Sequence, residues 1–457
     1  MASRPASEFV ADLRDALGPR FVRDDPDELT IVNQDWTGRF TGSAAVVVRP
    51  GDTSQVVAVI DACRRHGLPL VPFGGNTGLV GGTAAPPGAV ALSTDRLDAV
   101  VDVDPHAGQL TAGAGATLAQ VQQAARQSGW RYPVDFGARD SATVGGMVAT
   151  NAGGVHVVRH GTTRRRLLGV EAVLGTGVVI RRLGGLIKDN TGYDLAGLLC
   201  GSEGTLGVIT AARLALAPEP ANRLVALLGF DGLPQALDAG AVLISSLSSI
   251  EAVELMLAEG LALVGDRLGL GPPPVAGRAT LLVEAGGGEG LREQVAEVVA
   301  GLPGLTGTAV ATEHGDRERL WRYRDGHTEA ISRLGTPIKL DVTLPRPALE
   351  RFLTQVGPAV GAVAAEAEVW LFGHMGDGNV HVNVTGVATD DGRVDQTVLD
   401  LVIRHGGSIS AEHGVGRAKV DRLPGDRGHG DLVTFRAIKA ACDPDGIMNP
   451  GALISPR

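Results

Sequence analysis

The 457 residues are 44% hydrophobic and 20% charged, with a formal net charge of −10. These proportions exclude a disordered chain and a bundle of membrane helices, and the length sets a prior of about three domains, or two large ones. An acidic total argues against a general nucleic-acid binder, which needs a basic face to displace counterions.

Residues 1–43 read as a helical lead-in. Segment 44–50 is a short strand, and 53–67 is an amphipathic helix capped by Thr53 and stopped by Gly67. Strands follow at 69–74, 89–93, 98–104 and 109–115. A helix at 117–129 places Leu118, Val121 and Ala125 on one side. Residues 167–181 read as a hairpin about Gly175-Thr176-Gly177. The composition marks a domain boundary at PEPAN (218–222). Beyond it lie strands at 223–230, 278–286, 306–312, 336–345 and 367–374 and a strong helix at 316–335, a second α+β domain. The stretch 434–451 is a helix ended by Asp-Pro, then a Gly/Pro-rich tail.

Cys63, Cys200 and Cys442 stand far apart with no C-x-x-C pair. This disfavours a disulfide scaffold, a cysteine zinc site and an internal iron–sulfur cluster, and suits free thiols in a reducing cytoplasm. The N-terminus lacks the apolar stretch of a signal peptide, and no uncharged apolar run is long enough for a membrane span.

The 65 glycines gather in short loops. PFGGNTGLVGG (72–82) follows a strand, and the missing Cβ atoms let backbone N–H groups converge on an anion. No G-K-[ST] follows, and no G-x-G-x-x-G opens a helix, so the Walker and nicotinamide fingerprints are absent. SATVGGMVATNAGGVH (141–156) and KDNTGYDLAGLLCGSEGTLGVIT (188–210) repeat the mixture of glycine with small polar residues. Three such segments separated by strands suit a long ligand whose pyrophosphate lies on backbone amides. That agrees with a chain holding only four lysines, Lys188, Lys339, Lys419 and Lys439.

The order of these loops resembles the flavin-binding domain of the vanillyl-alcohol oxidase superfamily, and within it the FAD-dependent D-2-hydroxyacid dehydrogenases. NQDW (33–36) matches the D-2-hydroxyglutarate dehydrogenase branch, and the resemblance runs into the C-terminal DPDGIMNPG (443–451). It implies an α+β fold: a two-subdomain, PCMH-type FAD domain over 44–218, a substrate-binding cap over 219–433, and a short helical segment, 434–457, packing back towards the flavin. It implies non-covalent FAD, since the 72–82 loop offers no histidine for a covalent link. The matching FAD contacts are Pro72, Gly74, Gly75, Asn76, Thr77, Gly78, Gly81, Gly82, Ser141, Gly145, Gly146, Asn151, Glu203, Gly207, Ile209 and Asn449.

A second constellation lies in GHMGDGNVHVNV (373–384). His381 and Asn383 are two apart on one strand and share a face, while Val380, Val382 and Val384 take the other. The Gly376-Asp377-Gly378 turn brings His374 back near His381, and two imidazoles so placed can chelate a divalent ion. SAEHGVGR (410–417) adds Glu412 beside His413. Two imidazoles and a carboxylate suit zinc or manganese with open positions left for substrate. The resemblance assigns His374, His381 and Glu412 to the metal, and Asn383 and His413 to the substrate.

Arg324 and Thr328 are four apart on the helix, and Lys339 points away from the core-facing Ile338, Leu340, Val342 and Leu344. Separately these read as solvated surface groups; together they can clamp a carboxylate. In the family the matching positions hold the distal carboxylate of D-2-hydroxyglutarate. The expected reaction is oxidation of a D-2-hydroxyacid to the 2-oxoacid, with hydride passing from C2 to flavin N5. His413 is the expected general base, because an imidazole accepts a proton at neutral pH. The alternatives are a D-lactate or glycolate dehydrogenase, a catalytically silent flavin subunit of an electron-transfer complex, and a non-redox flavin transferase. An external acceptor, an electron-transfer flavoprotein or a quinone, is implied; a homodimer is the family-based expectation.

Overall fold

The computed structural model describes residues 7–275, 277–389 and 391–455. Residues 1–6 of the expected lead-in and 456–457 of the expected C-terminal segment lie outside the described residues. The chain divides into two compact units: residues 1–154, 161–219 and 412–457 form the first, and 155–160 with 220–411 form the second.

The first unit contains two main sheets. One runs in the order Val22–Arg23, Val46–Val48, Val90–Ser93, Leu70–Phe73, the last three strands parallel. Helices Ser7–Leu17 and Thr53–His66 cover it. Phe9, Leu13, Val56, Val59 and Ile60 bury their side chains with Val46, Val48, Val90 and Leu92. The other sheet is antiparallel, in the order Val100–Asp104, Gln109–Gly113, Gly207–Ala215, Leu167–Leu174, Val179–Arg182. Helix Leu118–Gln127 packs on it through Leu118, Val121 and Ala125. Its start is fixed by a capping box: Thr117 accepts from the Gln120 N–H, and the Gln120 side chain accepts from the Thr117 N–H.

Two local expectations for this unit are corrected. The lead-in is not purely helical, because Val22–Arg23 pairs with Val46–Val48 between helices Ser7–Leu17 and Pro26–Asn33. Asp52, not Thr53, caps the helix Thr53–His66. Asp52 is extended and its carboxylate accepts from the Gln55 N–H at 2.9 Å, whereas the Thr53 hydroxyl is turned to Glu171. Residues 412–457 are part of the first compact unit, and this includes the 412–433 stretch. The N–H groups of Arg417 and Ala418 both bond to the Val80 carbonyl, which ties this stretch to the 72–82 loop.

The second unit is built on a seven-stranded antiparallel sheet. Its order is Leu305–Ala311, Asn222–Phe230, Ala279–Gly287, Ile250–Leu257, Glu368–His374, Asn379–Thr385, Ile338–Thr343. Alternation sorts each strand between two layers. Leu224, Ala226 and Leu228 face a core shared with helices Leu233–Ser246, Arg346–Val363 and Gly392–Arg404. Val225 and Leu227 face the layer made by Ala258–Arg267 and His314–Ser332. Sequence periodicity left out the strand Ile250–Leu257 and several of these helices. A segment such as IEAVELML, buried on both faces and carrying Glu251 and Glu254 among its apolar residues, offers little period to read. Among the described residues no helix is long and apolar enough to cross a membrane.

Candidate functional site

A cavity of about 360 Å³ opens in the first unit. Its lining draws on all three glycine loops: Pro72, Gly74, Gly75, Asn76, Thr77, Gly78 and Gly82 from the first, Gly145 and Gly146 from the second, and Glu203, Gly207 and Ile209 from the third. Asn449 joins them from the C-terminal segment. The glycines serve two purposes. A Cβ on Gly75 would fall 1.8 Å from the Ser141 carbonyl oxygen, so that glycine permits close chain packing. A Cβ at Gly78 or Gly82 would meet nothing within 4 Å, so those two leave their backbone open to the cavity.

Three expected contacts lie outside the lining. Gly81 (φ 67°) packs against the Phe40 ring, and the Ser141 carbonyl abuts Gly75. Asn151 (φ 53°) caps the helix Val144–Thr150 and accepts from the Arg164 N–H at 3.0 Å. The apolar walls, Phe73, Leu79, Val80, Met147 and Val208, were not anticipated. Their signal is weak, because an apolar residue beside a glycine reads equally as core.

The cavity's chemistry suits FAD. Among the described lining residues there is no lysine or arginine, so an anionic pyrophosphate there would rest on backbone N–H groups. Apolar walls beside that backbone suit a planar ring system. Glu412 and His413 line the same cavity, and the Glu412 Oε1 accepts from the Gly154 N–H at 2.7 Å. Glu203 is built into the floor. Its carboxylate accepts from the Val415 and Gly416 N–H groups, and burial pushes its pKa up against those two bonds. The Asn449 amide donates to the carbonyls of Gly82 (2.9 Å) and Glu203 (2.8 Å).

In the second unit, one face of the sheet carries the polar constellation. Register sets Glu254 opposite His374, His381 opposite Asp341, and Lys339 opposite Asn383. The Nε2 atoms of His374 and His381 lie 3.3 Å apart. A tetrahedral ion with metal–nitrogen bonds of about 2.0–2.1 Å sets two ligand nitrogens roughly 3.3 Å apart, so this pair fits a zinc-type ion. Among the described residues no group of three or more His, Cys, Asp or Glu is gathered to hold a metal. Glu412, the third expected ligand, belongs to the first unit.

Arg324 is buried, with its Nε donating to Glu254 Oε2 at 2.6 Å and its guanidinium 5.1 Å from the Phe372 ring centre. Thr328 is exposed, so the structure does not give these two the same environment. Lys339 is half-buried, and burial lowers its pKa. Glu254 was missed by sequence reading. Burial opposes its charge, but His374 and Arg324 outweigh that and hold its pKa at about 2. Two carboxylates, Glu251 and Glu254, inside a strand of otherwise apolar residues were the available signal.

Two family models cover most of the chain: "FAD binding domain" over residues 44–182 and "FAD linked oxidases, C-terminal domain" over 219–453. The mitochondrial D-2-hydroxyglutarate dehydrogenase of Bos taurus is 38% identical, over 94% of this chain and 81% of that protein. The D-2-hydroxyglutarate dehydrogenase of Xanthomonas citri pv. viticola is 34% identical, over 97% of this chain and 96% of that protein. The chain belongs to this family of FAD-linked oxidases. Its fold is shared more widely. A substrate-bound p-cresol methylhydroxylase structure matches with a TM-score of 0.79 at 18% identity, over 97% of this chain and 96% of that one. An alkyldihydroxyacetonephosphate synthase structure gives 0.77 at 16% identity, over 98% of this chain and 85% of that one. Those likenesses support the expected α+β, PCMH-type fold.

Proposed function

We propose that the chain is an FAD-dependent dehydrogenase that oxidises D-2-hydroxyglutarate to 2-oxoglutarate. The observation that carries this is the cavity joining three glycine loops with His413 in its lining. FAD, when bound, supplies the two-electron acceptor for the hydride from C2. His413 takes the proton of the 2-hydroxyl at an imidazole nitrogen. Pro72, Gly74, Gly75, Gly78, Gly82, Gly145, Gly146, Ile209 and Asn449 hold the cofactor, a reading supported by their place in the lining of one cavity.

His374 and His381 hold a divalent metal, zinc or alternatively manganese, which when bound supplies Lewis-acid polarisation. Glu412's part in that set rests on the family resemblance alone. Arg324 and Lys339 bind the distal carboxylate, and Asn383 the substrate's oxygens. Lys339, opposite Asn383 in the strand register, offers a cation for a distal carboxylate that lactate and glycolate lack, which favours a dicarboxylic substrate. Reduced flavin passes its electrons to an external acceptor, an electron-transfer flavoprotein or a quinone. A cytoplasmic homodimer completes the reading.

The test is anaerobic flavin bleaching with a panel of D-2-hydroxyacids, with and without chelator. D-2-hydroxyglutarate is expected to bleach the flavin fastest, and chelation to suppress it. Bleaching by lactate alone, or none at all, overturns the assignment.

A further inference from the structure

Glu254 is wholly buried in the strand Ile250–Leu257. A carboxylate there is costly unless both oxygens are matched. They are divided between two partners: Oε1 lies 2.8 Å from His374 Nδ1, and Oε2 accepts from Arg324 Nε at 2.6 Å. Arg324 Nη2 lies 3.3 Å from His374 Nε2. A guanidinium only donates, so that contact requires a lone pair on Nε2. The His374 proton therefore sits on Nδ1, where Glu254 accepts it. The same bond turns Nε2 towards His381. Asp341, also buried, stands behind His381 with Oδ1 3.5 Å from its Nδ1, and is itself held by the Asn379 amide at 2.8 Å. A carboxylate behind a ligating imidazole fixes its tautomer and ring orientation.

We propose that Glu254 is a positioning residue shared by both halves of this site, setting the His374 imidazole for the divalent ion and the Arg324 guanidinium for the substrate's distal carboxylate. The inference rests on the metal and clamp assignments above and adds the group that couples them. Loss of Glu254 then disturbs metal and substrate together, although it touches neither.

The experiment uses the flavin-loaded protein, stripped of metal and titrated with zinc against a chromophoric chelator, alongside steady-state KM for D-2-hydroxyglutarate. Glu254→Gln is expected to weaken zinc binding by about 10–100-fold and to raise KM, with FAD content unchanged. Glu254→Asp, which keeps the charge, is expected to restore part of both. A folded Glu254→Gln protein with wild-type zinc affinity, or with only one of the two changes, overturns the proposal. Zinc binding by wild type no better than by His374→Ala overturns the metal assignment itself, and this proposal with it. Should the Glu254 variants fail to fold, nitrogen-15 spectra of the wild-type imidazoles decide, assigned with His374→Gln. The Nδ1–H tautomer of His374 is expected, and the Nε2–H tautomer overturns the proposal.

Discussion

Glu203 holds Gly416 in place: its Oε2 accepts the Gly416 N–H at 2.7 Å, while Oε1 accepts that of Val415 at 2.8 Å. The loop so anchored begins with Glu412 and His413, and both line the glycine-rich cavity. Glu203→Ala leaves two N–H donors without partners, at about 1–3 kcal/mol each where they stay buried. We expect a lower melting temperature and reduced FAD content in the purified protein. Absorbance at the flavin maximum relative to protein measures the latter; full occupancy would show that the anchor is dispensable.

Gly75 and Gly78 separate packing from ligand access. Gly75→Ala drives a methyl into the Ser141 carbonyl, whereas the site of Gly78→Ala is open. Overpacking costs about 1–3 kcal/mol. Gly75→Ala is therefore expected to melt earlier, and Gly78→Ala to melt as wild type but to hold FAD less tightly. Equal melting of the two variants would refute the distinction.

His413→Ala should keep its FAD and its fold, yet lose substrate reduction of the flavin by about 10²–10⁴-fold, the usual worth of a general base. Stopped-flow bleaching under anaerobic conditions reads this directly. Turnover at the wild-type rate would remove His413 from that role.

Removing a charge-assisted contact costs about 1.5–3 kcal/mol, or roughly 10–100-fold. Lys339→Ala is expected to raise KM for D-2-hydroxyglutarate by that factor and to leave D-lactate kinetics unchanged. The same loss on both substrates would mean that Lys339 supports the sheet rather than the distal carboxylate.

His327 predicts an acid-sensitive second unit. Burial, aided by the Arg324 charge, lowers its pKa from 6.5 to about 4, and its Nδ1 bonds to the Arg324 carbonyl at 3.1 Å. Below pH 6.5 the unfolded chain takes up a proton that the folded chain refuses until about pH 4. Stability is therefore complete above 6.5 and falls as pH drops through that window, by at most about 3 kcal/mol. Urea midpoints at pH 7.5, 5.5 and 4.5 should show the decline, and His327→Leu should flatten it. An unchanged slope in that variant would assign the effect to other groups.

The sequence determined what is local. Loops 72–82, 141–156 and 188–210 announce a backbone-lined ligand cavity, because glycine's lack of a Cβ is written in the residue itself. The alternation of Ile338, Leu340 and Val342 likewise predicts that Lys339 faces away from the core, and those three residues are buried. The His374–His381 turn is legible for the same reason: seven positions and a Gly-Asp-Gly bend fix it.

Tertiary structure alone decided which groups stand behind these. Glu254 is 120 positions from His374 and 70 from Arg324, and strand pairing joins it to the histidine. Glu203 is 213 positions from Gly416. No period or motif encodes such pairs. They arise when buried carboxylates must find donors, and the fold determines which donors are within reach.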